Sequence, residues 1–446
     1  MSTTNRKRAC GFRRLGLCLL LTLPVWLAAA PAPAAYPLDG YRRTGVRRLR
    51  AYQMVQEGLI SGRRLPAGAL MPIDSIHLHL IDVNPDFDIT GSTARSPALQ
   101  EGLEEVFEQR SPEYSIAVLD ITDPSGPAYA AIRETEPYLP GSVGKILVVG
   151  GLFAALAAAH PDPGDRLRVL RDTSIRADRF IRNDSHTVPI ADLEAPSLVH
   201  RPIRLGDTFS LFEWIDHAVS PSSNAAGATV WKEAMLLRHF GRDYPPSARV
   251  EETFFAETPK KELQELALDT LEAPLRAAGL DVSRLRQGTM FTLGGNEVVP
   301  GTSSYATPRQ LLRWLLRLEQ GRLVDPFSSL EMKRLLYFTR RRYRYAVSPA
   351  LDRAAVYFKS GSFYECKPEP NFRCRKYRGN VTNVMNSVAI VENPARPQPG
   401  EMQRVYLVAM MSNVLRKNSA EEHRDIATAI DQLIRRLHLP PTIKGS

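Results

Sequence analysis

The residues of this 446-residue chain best placed to do chemistry fall in three short stretches. The first is Pro140-Gly141-Ser142-Val143-Gly144-Lys145, which runs straight into the apolar residues 146–156. A Pro-Gly turn delivers a serine to the first turn of a predicted helix. A lysine follows three residues later, so the two side chains share one face, one turn apart. The helix N-terminus brings free N–H groups and a partial positive charge beside the serine oxygen. A lysine pressed against apolar surface loses part of its preference for the charged form, and a neutral lysine can take the serine's proton. Alone, a Ser-x-x-Lys tetrad is a weak signal, since a chain of this length holds about one by chance.

Two further stretches add to it. Ser222-Ser223-Asn224 sits within Val219-Ser220-Pro221-Ser222-Ser223-Asn224-Ala225-Ala226-Gly227, and Lys359-Ser360-Gly361-Ser362 closes the strand-like run Ala354-Ala355-Val356-Tyr357-Phe358. Ser-x-x-Lys, then Ser-x-Asn, then Lys-(Ser/Thr)-Gly, in that order, is the set carried by class A β-lactamases and penicillin-binding proteins. The chain resembles these active-site serine hydrolases from near Ser96 to about Ile434. The resemblance implies an α+β fold (an α/β sandwich) of the β-lactamase/transpeptidase type. An antiparallel sheet is flanked by helices, an all-helical subdomain stands beside it, and the site lies in the cleft between them.

The resemblance also implies roles. Ser142 is the nucleophile of an acyl transfer and Lys145 its base. Lys359 supplies a second ammonium that keeps Lys145 from holding its proton and attracts a substrate carboxylate. Ser222 bridges the two lysines and passes a proton to the leaving nitrogen. Asn224 hydrogen-bonds the substrate amide, Ser360 adds a hydroxyl near the carboxylate, and Gly361 belongs to the substrate-binding strand. The backbone N–H groups of Ser142 and Ser362 form the oxyanion hole. No cofactor and no metal is expected.

Deacylation is where the sequence departs from the class A pattern. That pattern places a glutamate four residues before an asparagine, ahead of a Thr-Pro helix start. Here Asn296 stands twelve residues before Pro308, but the residue four before it is Thr292. Glu297 is the nearest carboxylate, one residue past the asparagine, and reads as a substitute base or as a solvated loop residue. The leading expectation is an exported serine hydrolase acting on peptidoglycan-type D-alanyl peptides and acylated by β-lactams. The alternatives are a class A-like β-lactamase, and a β-lactam- or muropeptide-binding protein that does not turn over.

The rest of the chain must position these groups. Hydrophobic residues make up 43% and charged residues 24%, ordinary values for a globular protein with a real core. The net charge is +10, but Arg6, Lys7, Arg8, Arg13 and Arg14 precede any acid, and without them about +5 remains. Nucleic-acid binding does not follow from that. Residues 1–35 read as a cleaved export signal, with a basic start, an apolar run and the small-x-small site Ala32-Pro33-Ala34, giving a periplasmic or secreted protein of the bacterial envelope. No other stretch reads as long and apolar enough to span a bilayer. Cys366 and Cys374 remain in the mature chain and are expected to form a disulfide worth roughly 2–3 kcal/mol.

Residues 36–95 form an extension outside the resemblance, followed by the hydrolase domain at 96–446. The extension is arginine-rich at Arg42, Arg43, Arg47, Arg48 and Arg50, read as a solvated face that could also touch an anionic envelope surface. Residues 76–81 look strand-like and would put His77 and His79 on one face. Beyond them, helical spacing covers 96–110 and strands cover 114–120 and 127–132. Residues 244–280 look like an insertion with a helix after Thr258-Pro259, and Thr307-Pro308 starts another helix. A helix-like run at 331–345 ends in Arg340, Arg341, Arg342 and Arg344, read as a solvated face or a rim for an anionic substrate. Strands at 356–359, 384–391 and 405–411 and a closing helix at 420–437 complete the chain.

Overall fold

A computed structural model of the chain describes residues 39–89, 95–338 and 343–439. The expected export signal and Arg340, Arg341 and Arg342 lie outside the described residues. The helices are α1 (Gly40–Thr44), α2 (Arg47–Gln56), α3 (Pro97–Phe107), α4 (Lys145–Ala159), α5 (Pro163–Asp172), α6 (Leu211–Val219), α7 (Asn224–Phe240), α8 (Ala248–Glu257), α9 (Lys260–Ala277), α10 (Leu293–Val298), α11 (Pro308–Glu319), α12 (Pro326–Tyr337) and α13 (Ser419–Leu437). The strands are β1 (Tyr114–Asp120), β2 (Ala128–Ile132), β3 (Ser174–Arg176), β4 (Thr187–Asp192), β5 (Ser197–Pro202), β6 (Thr208–Ser210), β7 (Leu285–Arg286), β8 (Tyr305–Ala306), β9 (Ala355–Glu365), β10 (Thr382–Asn393) and β11 (Arg404–Asn413).

Five strands form one antiparallel sheet in the order β2-β1-β11-β10-β9, as expected for the α+β class. Successive side chains of a strand point to opposite faces, and the sheet uses this to build two cores. Ile116 and Val118 of β1, with Tyr406, Val408 and Met410 of β11, pack with Leu99 and Leu103 of α3 and Ile426, Ile430 and Leu433 of α13. Ala117, Leu119, Leu407, Ala409 and Met411 belong to the opposite core, shared with α4, α7, α9 and α11.

Local signals set the helix starts. Ser96 Oγ accepts from Leu99 N ahead of Pro97, and Thr307 Oγ1 accepts from Gln310 N ahead of Pro308. Ser210 and Glu213 form a reciprocal capping box at α6. The helical stretch Gly141–Ala159 is long and apolar enough to cross a bilayer, contrary to the sequence reading. It is apolar on every side because it is enclosed, packed against α7 and α9.

Several expectations change. The stretch 76–81 is not a strand. Ile76 and Leu80 are buried anchors of a loop in which Leu80 N donates to Glu319 O at 3.1 Å. The 331–345 run divides into α12 and a separate 3₁₀ turn at Arg344–Val347. Three of the five early arginines are not part of a solvated face, while Arg42 is exposed. Arg48 is buried, pairs with Asp216 at 2.5 Å and donates to Phe338 O, while Arg43 pairs with Glu331 at 2.7 Å and Arg47 with Glu213 at 2.8 Å. Residues 35–446 form one compact unit, so the described part of the extension is built into the body.

Candidate active site

The turn before α4 carries the serine. Gly141 has φ +54°, a left-handed conformation that favours glycine, and Gly141–Gly144 make a 3₁₀ turn that continues into α4. Asn386 of β10 donates through Nδ2 to Leu139 O at 2.8 Å and Pro140 O at 3.0 Å, tying the turn to the sheet. Its register partner on β9 is Gly361. A Cβ at Gly361 would lie 2.5 Å from Pro140 O and 2.8 Å from Ser142 N, so only glycine lets β9 approach the nucleophile's turn this closely. Ser362, the next residue, has its backbone N beside the same turn, 3.5 Å from where a Gly141 Cβ would sit.

Lys145 Nζ donates to Ser142 Oγ at 2.8 Å and to Asn224 Oδ1 at 2.8 Å. The lysine is fully buried, with its ammonium 4.4 Å from the centre of the Phe291 ring. A Cβ at Gly227 would come within 2.7 Å of Lys145 Cε, so the small residue on α7 makes room for the amine's stem. Burial pushes the Lys145 ammonium down to about 7, with the Asp184 carboxylate offsetting part of that.

Lys359 Nζ donates to Ser222 Oγ at 2.7 Å and to Ser360 O at 2.9 Å. Burial first, then the positive charges of Lys145 and Arg344, hold it well below the ordinary lysine range. Neither cleft lysine forms an ion pair among the described residues. Ser222 is a non-glycine residue at φ +65°, a conformation costing of order 1–3 kcal/mol that the surroundings must enforce. Part of that enforcement comes from Ser223 and Ala225, just downstream. Asp184 Oδ2 accepts from Ser223 Oγ and from Ala225 N, both at 2.8 Å, and Asp184 Oδ1 accepts from His186 N. Burial pushes the Asp184 carboxyl up, but these donors and the His186 ring outweigh it and hold it below the usual range.

The structure therefore brings together Ser142, Lys145, Ser222, Asn224, Lys359, Ser360, Gly361 and Ser362. Two groups join them that the sequence did not single out for the site. Asp184 is one. Arg344, the end of the arginine run read as a solvated face or a rim for an anionic substrate, is the other. It is buried, with φ +58°, and its Nη1 donates to Ser360 Oγ at 2.7 Å while Nη2 donates to Ser362 Oγ at 2.9 Å and Tyr377 OH at 3.2 Å. Its only sequence signal was proximity to the third motif.

The deacylation candidates separate. Asn296 of α10 donates through Nδ2 to Met290 O at 3.1 Å and Thr292 O at 2.9 Å, tying the helix to the residues just before it. Thr292 Oγ1 donates to Phe180 O at 2.5 Å and accepts from Gly295 N, so its hydroxyl is committed to the fold. Glu297 is exposed and pairs with Arg182, a solvated residue on α10 rather than in a loop. Cys366 and Cys374 form the expected disulfide.

Residues 263–434, under half of the chain, match the model of the Beta-lactamase enzyme family. The match holds the third motif and most of the main sheet, and the Ser222–Lys359 contact links the upstream motifs to it. Over those residues the chain is similar to that enzyme family. Among solved structures, the β-lactamase of Sphaerobacter thermophilus is similar at 14% identity, covering 77% of this chain and 98% of its own, with a TM-score of 0.46. A class A β-lactamase reconstructed as the last common ancestor of Gram-negative bacteria is similar at 19% identity, covering 76% and 100%, with a TM-score of 0.47. PBP-A is similar at 15% identity, covering 79% and 99%, with a TM-score of 0.46. No curated protein matches the chain in sequence.

Proposed function

We propose that this serine hydrolase is an exported D,D-peptidase-type enzyme that acts on peptidoglycan-type D-alanyl peptides and is acylated by β-lactams. The observation that carries the acyl-serine reading is the 2.8 Å contact between Ser142 Oγ and a buried lysine that has no ion-pair partner among the described residues. In the neutral amine, Lys145 keeps two N–H donors, one for Asn224, and its lone pair accepts the serine proton. Ser142 Oγ then attacks the substrate carbonyl, and the developing oxyanion takes hydrogen bonds from the Ser142 and Ser362 amides. Ser222, hydrogen-bonded to Lys359, delivers a proton to the departing nitrogen. The substrate carboxylate meets Lys359, Arg344 and the Ser360 hydroxyl. Its negative charge suits a site where neither Lys359 nor Arg344 forms an ion pair among the described residues.

Thr292, whose hydroxyl is committed to Phe180 O, favours a peptidase over a fast β-lactamase. Losing a positioned base costs about 10²–10⁴-fold in the step it serves. The test is release of D-alanine from a pentapeptide ending in D-alanyl-D-alanine, beside hydrolysis of a penicillin. The reading expects D-alanine release and a long-lived penicillin adduct. Many turnovers of penicillin with no D-alanine would overturn the peptidase assignment. Arg344→Gln should lower kcat/KM for carboxylate-bearing substrates about 10–100-fold, the worth of a charge-assisted hydrogen bond. It should matter far less for a penicillin methyl ester.

A further inference from the structure

The connection between β9 and β10 is longer than a hairpin needs. Residues 366–381 separate the paired ends Glu365 and Thr382, where two to about five residues suffice. The segment is built. The Cys366–Cys374 disulfide closes its first half. Asn380 accepts from Lys367 N at 2.9 Å and donates to Lys367 O at 3.0 Å, and Glu369 is held by Asn380 and Arg416.

Its charge is one-sided. It carries Lys367, Arg373, Arg375, Lys376 and Arg378, all exposed, against the single carboxylate of Glu369, which Arg416 already pairs. None of those five cations forms an ion pair among the described residues. Elsewhere the exposed cations of this protein often find carboxylates, as Arg238 does with Asp269 and Arg353 with Glu401.

Its place matters as much as its charge. β9 is an edge strand of the sheet, so one side of its backbone has no strand partner among the described residues. Ser362 lies three residues before the end of that strand, and the exposed Phe363 and Tyr364 lead from it into the loop. Tyr377 of the loop accepts from Arg344, the same guanidinium that holds Ser360 and Ser362. Three strand residues span about 10 Å. A dipeptide end reaches about 7 Å when fully extended. A ligand that runs along this strand from the nucleophile to the disulfide-closed half of the loop is therefore longer than the scissile end alone.

We propose that the disulfide-closed loop at 366–381 is a docking surface for the carboxylate-bearing stretch of a polymeric substrate whose scissile end lies at Ser142. This rests on the acyl-serine reading above and adds the substrate class, an extended polyanion. Opposite charge spread along such a surface raises capture of the polymer and sets its direction across the cleft.

The test uses the mature chain with Ser142→Ala, so that nothing turns over, and measures co-sedimentation with insoluble peptidoglycan. The same polymer with its carboxyl groups amidated is the second probe. Binding should fall about tenfold or more in Arg373→Glu/Arg375→Glu/Lys376→Glu, and by a similar factor for the unaltered loop on amidated polymer. With Ser142 intact, the charge-reversed loop should take a penicillin adduct at a rate within about twofold of the parent, because a small substrate does not reach it. Binding insensitive to both changes would overturn the proposal. So would a fall in penicillin acylation matching the fall in binding, which would make the loop a structural support of the cleft. Failure of parent and variant alike to form an adduct would instead count against the acyl-serine reading, with the charge dependence of polymer binding still deciding the loop's part.

Discussion

Four buried lysines divide this protein into two kinds of site. Lys145 and Lys359 stand among the three motifs, and Lys232 and Lys333 lie elsewhere in the packed body, with all four side chains nearly or wholly out of water. Lys333 sits 2.6 Å from Glu319 and 2.9 Å from Glu392, and Lys232 lies within 3 Å of Asp178, Glu233 and Glu251. Burial pushes these two ammonium groups down, but the carboxylates outweigh it and hold them above the ordinary range. The cleft lysines meet hydroxyls and an amide instead, so burial outweighs the little that opposes it and holds both below the ordinary lysine range, Lys145 at about 7. Burial does not separate a structural cation from a base here. The chemistry of the partner does.

The contrast can be broken most sharply by the same substitution at two places. Lys145→Met should slow acylation by about 10²–10⁴-fold. It should leave thermal stability unchanged or higher, since it removes a buried amine that no carboxylate compensates. Lys333→Met should do the reverse. It strands Glu319 and Glu392 and should cost about 3–5 kcal/mol in denaturant unfolding, while the folded fraction acylates at close to the parent rate. Equal stability losses in the two variants would erase the distinction.

Asp184→Asn sharpens it further. Asp184 is the carboxylate that raises the Lys145 pKa. Removing its charge favours the neutral amine, so the acid limb of the acylation rate should move to lower pH. The maximal rate should fall by about tenfold or less, because an amide oxygen can still accept from Ser223 or Ala225. A lower rate with no movement of the limb would reduce Asp184 to a purely mechanical brace. The smallest effect is expected from Glu297→Gln. This exposed residue paired with Arg182 should leave adduct lifetime within about twofold of the parent.

What could be read from the sequence followed the range of its signals. The three motifs, the capped helix starts at Ser96 and Thr307 and the strands of the main sheet are local patterns of type and spacing, and each has its counterpart in the structure. Arg48 was misread because its partner, Asp216, is 168 positions away, and nothing local distinguishes a paired arginine from a solvated one. Arg344 was hidden in the same way at the end of an arginine run, and Asp184 within a charged, proline-rich connection. Residues 76–81 alternate like a strand, yet their polar groups find Glu319 and Lys333 rather than a neighbouring strand. Tertiary partners overrode the local pattern.

The most direct test of the central claim is the rate at which Ser142 is acylated as a function of pH, read by intact mass after mixing the mature protein with a fluorescent penicillin. The account predicts a single long-lived adduct, absent in Ser142→Ala, whose rate of formation climbs through a midpoint near pH 7 as Lys145 gives up its proton. No adduct at all, or a rate still climbing toward pH 10 as for an ordinary lysine, would contradict it.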